Sequence, residues 1–273
     1  MSFQLKLTNL QNVAPGNVAT LKVPAGAGAP TYDAIKLVLS GGMTAAHITG
    51  IRGKADGRIF LDESSGTVLQ TRDAYRGITT EAAFVVIDFT EPKARNGATE
   101  QLLASVPGSL LKDLSFEISI AAGAPAGGKI EAFAIYRPPT SNSWIRKLLM
   151  TTQTFSAAGT DGAPNIAYLP VQGAGGKIKR AWLHESVAGA TTGVQVRVAN
   201  NVIHEATRAQ IENDQKRNLL VPQAGILVLD WITDGNLAGM LDTQNAPAVE
   251  LRLVGAATTY SIYYELIDPI GRL

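Results

Sequence analysis

The residues of this chain best suited to metal or proton-transfer chemistry are its three histidines, His47, His184 and His204, the last two each followed by glutamate (Glu185 and Glu205). A zinc-binding helix needs a second histidine four positions after the first, so that both imidazoles face one ion. Neither pair continues that way, and both lie in strand-like surroundings. A metal site on a β scaffold would want closely spaced histidines with a carboxylate, and surface or interface positions suit all three better. Gly123-Ala124-Pro125-Ala126-Gly127-Gly128-Lys129 has the spacing of a phosphate-binding loop. The next residue is Ile130, where Ser or Thr would hold magnesium, and the segment links two strands instead of opening a helix, so the backbone cradle is incomplete. Asp230, Asp234 and Asp242 cluster without the spacing of a calcium loop, and Asp234-Gly235 is a turn. No G-x-S-x-G elbow supports a Ser-His-Asp triad. Trp144, Trp182 and Trp231 could line a sugar site, but at separated strand positions they suit core or interface anchors. No catalytic or cofactor-binding residue is assigned on these grounds, the chain is not expected to be an enzyme, and its metal ligands are unknown.

The elements that would position any site are strands. The chain has 273 residues with 27 Gly and 13 Pro, so it turns often. Only 17% of residues are charged, against about 25% in an average globular protein. Lys plus Arg number 24 and Asp plus Glu 23, which argues against a nucleic-acid footprint. The absence of cysteine excludes disulfides and thiolate metal sites. No stretch reaches the length of a transmembrane helix. The opening Met1-Ser2-Phe3-Gln4-Leu5-Lys6-Leu7 alternates and lacks a signal peptide's apolar block, so synthesis in the cytoplasm is expected.

Alternation of apolar and polar residues predicts eight strands in the first half: Phe3 to Leu7, Val18 to Val23, Ala34 to Leu39, Ile48 to Lys54, Arg58 to Leu61, Phe84 to Phe89, Ser115 to Ile120 and Ile130 to Tyr136. Asp56-Gly57 marks a hairpin whose central residues must accept positive φ. Pro138-Pro139 breaks the pattern and sets a domain boundary, giving domains 1–138 and 139–273. The second half repeats the order: Ile145 to Phe155, Asn165 to Leu169, Lys177 to Leu183, Val194 to Val198, an Asn200-Asn201 turn into Val202-Ile203, Ile226 to Ile232, Val249 to Leu253 and Tyr260 to Ile267. A helix follows the hairpin in each half, with Thr67-x-x-Gln70 and Thr207-x-x-Gln210 as capping boxes. A shorter one is expected at Glu100 to Ser105 and near Asn236 to Leu241. Eight antiparallel strands in two facing sheets make a jelly roll; an immunoglobulin-like sandwich is the near rival. The fold class expected is all-β, two tandem eight-stranded antiparallel jelly rolls with short interstrand helices. The alternative to duplication is chance self-similarity among regularly spaced turns.

The segment Asn9-Leu10-Gln11-Asn12-Val13-Ala14-Pro15-Gly16-Asn17, then Leu21-Lys22-Val23-Pro24, Tyr32, the Asp56-Gly57-Arg58 hairpin and Ser143-Trp144 resemble the double jelly-roll major capsid proteins of membrane-containing icosahedral bacteriophages, of the corticovirus type. The likeness in residues fades after about Phe155, while the order of elements holds over nearly the whole chain. The resemblance implies a structural protein of the virion capsid, assembled in the host bacterial cytoplasm. It implies a homotrimer forming a pseudo-hexameric capsomer, neighbouring capsomers, a separate vertex (penton) protein, minor membrane-associated virion proteins, a lipid bilayer beneath the shell, and no direct contact with nucleic acid. No cofactor is implied; some relatives hold structural calcium, for which no ligand motif exists here to carry over. Met1 to Lys6 reads either as an inward-facing arm or as an ordinary first strand. The competing function is a jelly-roll carbohydrate- or receptor-binding module.

Overall fold

A computed structural model describes residues 3–91, 94, 104–140, 143–155, 165–169, 176–243 and 246–273. The chain forms two compact units. The first holds Met1–Ala74, Ile78–Leu149 and Pro269–Leu273; the second holds Met150–Asp268 together with Tyr75–Gly77.

In the first unit the strands are β1 (Phe3–Lys6), β2 (Val18–Val23), β3 (Thr31–Ser40), β4 (Ile48–Ala55), β5 (Arg58–Glu63), β6 (Phe84–Asp88), β7 (Val106–Pro107), β8 (Leu114–Ile120) and β9 (Lys129–Arg137). One sheet runs β1-β9-β3-β6, with the short β7 also on β3. The other runs β2-β8-β4-β5. All eight expected strands are present, and β7 is additional because two residues are too few for a visible alternation. The pleat sends every second side chain inward. Ile35, Leu37, Leu39, Val85 and Ile87 from one sheet, and Leu114, Phe116, Ile118 and Ile120 from the other, are buried accordingly. The rings of Phe60, Phe89 and Phe116 pack with centroids 6.0–6.1 Å apart. The Asp56-Gly57 hairpin takes the expected positive φ values, 50° and 77°. Helix α1 (Gly66–Tyr75) follows β5. Its cap is not Thr67 but Ser65, whose hydroxyl accepts from Val68 N at 3.2 Å. Gln70 does not close a box either; its Nε2 donates to the carbonyls of Glu81 and Phe84, 2.9 Å each, pinning the helix to the start of β6.

The later strands are β10 (Trp144–Phe155), β11 (Asn165–Leu169), β12 (Lys177–Glu185), β13 (Thr191–Val198), β14 (Asn201–Thr207), β15 (Ile226–Asp230), β16 (Leu241–Asp242), β17 (Val249–Gly255) and β18 (Thr258–Pro269). The second unit's sheets run β15-β12-β18-β10, with β16 also on β12, and β11-β17-β13-β14. Within the first unit, Leu148 of β10 makes one parallel bridge to Leu61 of β5, a departure from the all-antiparallel plan. The β13–β14 turn falls at Ala199 and Asn200 (φ 49° and 67°), one residue earlier than expected, because Asn201 is already paired with Val198. Helix α2 (Arg208–Arg217) opens on the predicted box: Thr207 Oγ1 accepts from Gln210 N at 3.3 Å, and Thr207 N donates to Gln210 Oε1 at 2.8 Å. Near 236–241 a single 3-10 turn, Leu237–Gly239, forms in place of a helix. Of the helix expected at Glu100 to Ser105, residues 100–103 lie outside the described residues. Among the described residues no helix is long and apolar enough to cross a membrane.

Candidate functional site

Most of the sequence's chemical candidates stand apart, and three of them, His204, Asp230 and Trp231, share one small cavity. Gly123 to Lys129 carries two tight turns joining β8 to β9; a Cβ on Gly128 would lie 2.4 Å from Met43 Cγ, whereas one on Gly123 or Gly127 would meet open space. His47 Nδ1 accepts from Thr44 N at 3.0 Å inside a 3-10 turn. His184 stands edge-on to Tyr263 at 5.0 Å. His204 lines a cavity of about 130 Å³ with Asp214, Trp231 and Asp230. Asp234 caps its own turn, its Oδ1 accepting from Asn236 N at 3.0 Å. Trp182 is buried. Among the described residues no three His, Asp or Glu side chains gather as a metal site.

Glu185 is held where the strand β12 ends. It accepts from Gly189 N (3.0 Å), Thr191 N (2.8 Å) and Arg208 Nη1 (2.8 Å). Burial pushes its carboxyl up, but the donors from Thr191 and Arg208 outweigh that and hold it below its ordinary value. This is a structural clamp on a loop and on the first turn of α2.

Among the described residues, a buried concentration of charge stands where no sequence motif marked one. On the outer face of β12 and β18 in the second unit, Glu265 Oε1 lies 3.2 Å from Lys179 Nζ and 3.3 Å from Arg76 Nη2. Its Oε2 lies 3.5 Å from Arg180 Nη1 and accepts from Trp182 Nε1 at 3.2 Å. Arg180 Nε in turn donates to Asp230 Oδ2 at 2.7 Å, and the Tyr75 hydroxyl donates to the same oxygen at 3.1 Å. Burial first, then the neighbouring Asp230 carboxylate, drive the Tyr75 hydroxyl's pKa upward, so it stays a donor. The Tyr75 ring stands edge-on to Trp182 at 5.1 Å. Glu265 and Lys179 are fully enclosed, so a substrate has no route to them and the cluster serves cohesion. The signal for it was a lone glutamate in the apolar run Tyr260 to Ile267 and two cations, Lys179-Arg180, inside a strand.

What the surface offers is contact area. β1 is an edge strand exposed along its length, with Phe3 at 46% and Leu5 at 51% exposure. Those two side chains, with Pro30, Tyr136, Pro138 and Pro139, line a shallow apolar groove of about 400 Å³. The outer face of the same sheet carries Phe84 and Val86 from β6, Phe133 and Ile135 from β9, and Lys36 from β3, all partly exposed. In the second unit Tyr168 and Leu219 project into solvent. Apolar side chains arrayed on sheet edges and faces are the raw material of subunit contacts.

The N-terminal domain model of the viral coat protein P2 matches residues 4–137, and its C-terminal domain model matches residues 145–270. Major capsid protein P2 of Pseudoalteromonas phage PM2 is 28% identical over 172 residues, 61% of this chain; the match spans 60% of that relative's length. The crystal structure of the major capsid protein P2 from bacteriophage PM2 superposes with a TM-score of 0.87 at 19% identity, covering 98% of both chains. The atomic structure of Sulfolobus Turreted Icosahedral Virus gives 0.70 at 12% identity, over 98% of this chain and 91% of that one. These are likenesses of fold, and the fold is a double jelly roll. With both domain models matched in tandem, the chain belongs to the P2 family of viral coat proteins, which are structural proteins and not enzymes.

Proposed function

We propose that the chain is the major capsid protein of an icosahedral bacteriophage. The observation that carries this is the tandem match of the two coat-protein domains. The rolls are 1–138 and 139–273, a division supported by the edges of those matches, which leave Pro138 and Pro139 between them. Three copies form a pseudo-hexagonal capsomer, since a ring of three two-roll chains presents six like walls, an outline that tiles a surface. Capsomers cover an internal lipid bilayer, with a separate protein at the vertices and membrane-associated minor proteins beneath. The bilayer is touched at the capsomer base, not entered. Phe3–Lys6 is a strand paired to β9, which favours the ordinary first strand over an inward-facing arm.

Size-exclusion chromatography with light scattering is expected to give a particle of three times 28.8 kDa, seen in negative stain as a six-sided ring. A protein that stays monomeric at every concentration would sink the trimer.

A further inference from the structure

The two helices end alike. After α1, Ile78 N donates to Asp73 O at 2.9 Å; after α2, Leu220 N donates to Gln215 O at 3.0 Å. The residue before each donor sits in the left-handed region: Gly77 at φ 67° and Leu219 at φ 60°. This closure suits glycine, which has no Cβ to crowd the carbonyl. Leucine there is strained, and Leu219 is 80% exposed, so contacts inside the chain do little to offset the strain.

The strand order extends the equivalence to single residues. β6-β3-β9 of the first unit corresponds to β15-β12-β18 of the second. Ala34, between Asp88 and Ile135, takes the place of Arg180, between Asp230 and Glu265. Lys36, between Val86 and Phe133, takes that of Trp182, between Val228 and Tyr263. In the second unit this outer face is closed: Trp182, Val228 and Tyr263 are buried, and Tyr75 and Arg76 lie on it through Trp182, Asp230 and Glu265. In the first unit the equivalent face is partly open and mostly apolar, with the Lys36 ammonium 5.9 Å from the rings of both Phe84 and Phe133.

We infer that the end of α2, Arg217–Leu219, of one copy docks on the outer face of β6-β3-β9 of a second copy, as Tyr75–Gly77 does on β15-β12-β18. Charge complements the fit. Tyr75 donates to Asp230; at the corresponding places stand Arg217 and Asp88, a cation and a carboxylate. Leu219 supplies the apolar side chain that Gly77 lacks, to a face whose centre is Phe133, Ile135 and Val86. Each copy gives a helix end and receives one, a head-to-tail contact that closes as a ring. The inference rests on the trimer reading and names the residues that hold it.

The test is light scattering of the full chain over a dilution series, with melting temperatures to follow folding. Wild type is compared with Leu219→Gly, Arg217→Asp, Asp88→Lys and the double variant Arg217→Asp/Asp88→Lys. Leu219→Gly relieves the strained turn, so it is expected to melt no lower than wild type when monomeric. Leu219→Gly and Arg217→Asp are each expected to raise the concentration of half-dissociation by about tenfold or more. The double variant is expected to return within about threefold of wild type, because the pair is restored in reverse. If Leu219→Gly and Arg217→Asp both dissociate as wild type does, this contact is overturned and the trimer stands on another surface. A wild-type protein that never associates overturns the trimer itself, and the contact with it.

Discussion

Glu265 gathers three cations around one carboxylate. Its carboxylate meets Lys179, Arg76 and Arg180 where water is excluded. Taking one partner from a buried ionic cluster leaves the others uncompensated, at a cost of about 3–5 kcal/mol. Glu265→Gln is therefore expected to lower the unfolding free energy by that order in urea titrations. Replacing Lys6, whose bridge to Glu131 at 2.6 Å is exposed on both sides, is expected to change almost nothing in the same titration. Residue chemistry was the least legible level in the sequence. Arg76 and Glu265 meet across 189 positions, and no local pattern announces such a pairing. The visible motifs misled for a related reason. The Gly-rich segment before Lys129 makes two tight turns between strands, with Met43 packed against Gly128.

At the level of elements, alternation served well. Val18–Val23 and Asn165–Leu169 form strands over the very residues predicted, because one face of each must be apolar. Ends and caps were harder. Thr67 and Thr207 occupy like sequence patterns, yet only Thr207 caps; Ser65, two residues earlier, takes the role for α1. Thr207→Ala and Ser65→Ala are each expected to cost about 1 kcal/mol, and Thr67→Ala distinctly less, by denaturant midpoint. Glu185 adds a pH dependence to α2 and its neighbouring loop. Its carboxyl sits below the ordinary value, so it stabilises the fold above the unfolded value of about 4.3. That contribution is lost as the pH falls through the folded value beneath it. Glu185→Gln is expected to flatten the acid limb of stability against pH below about 4.5, read from urea midpoints at successive pH values.

Over the whole molecule, the like order of strands in the two halves was legible in the sequence, while the residues at equivalent places differ. The reason lies in the divergent outer faces: Trp182 answers to Lys36, Glu265 to Ile135 and Leu219 to Gly77, so the repeat keeps its strands and changes its chemistry. The first unit includes Pro269–Leu273, where Ile270 N donates to Ser143 O at 2.7 Å and the Arg272 carbonyl accepts from Lys147 Nζ at 2.9 Å. A ribosome releases those residues only after the entire second unit has been translated. The early half of the nascent polypeptide therefore gains its last strand-end contacts only when the late half has been made.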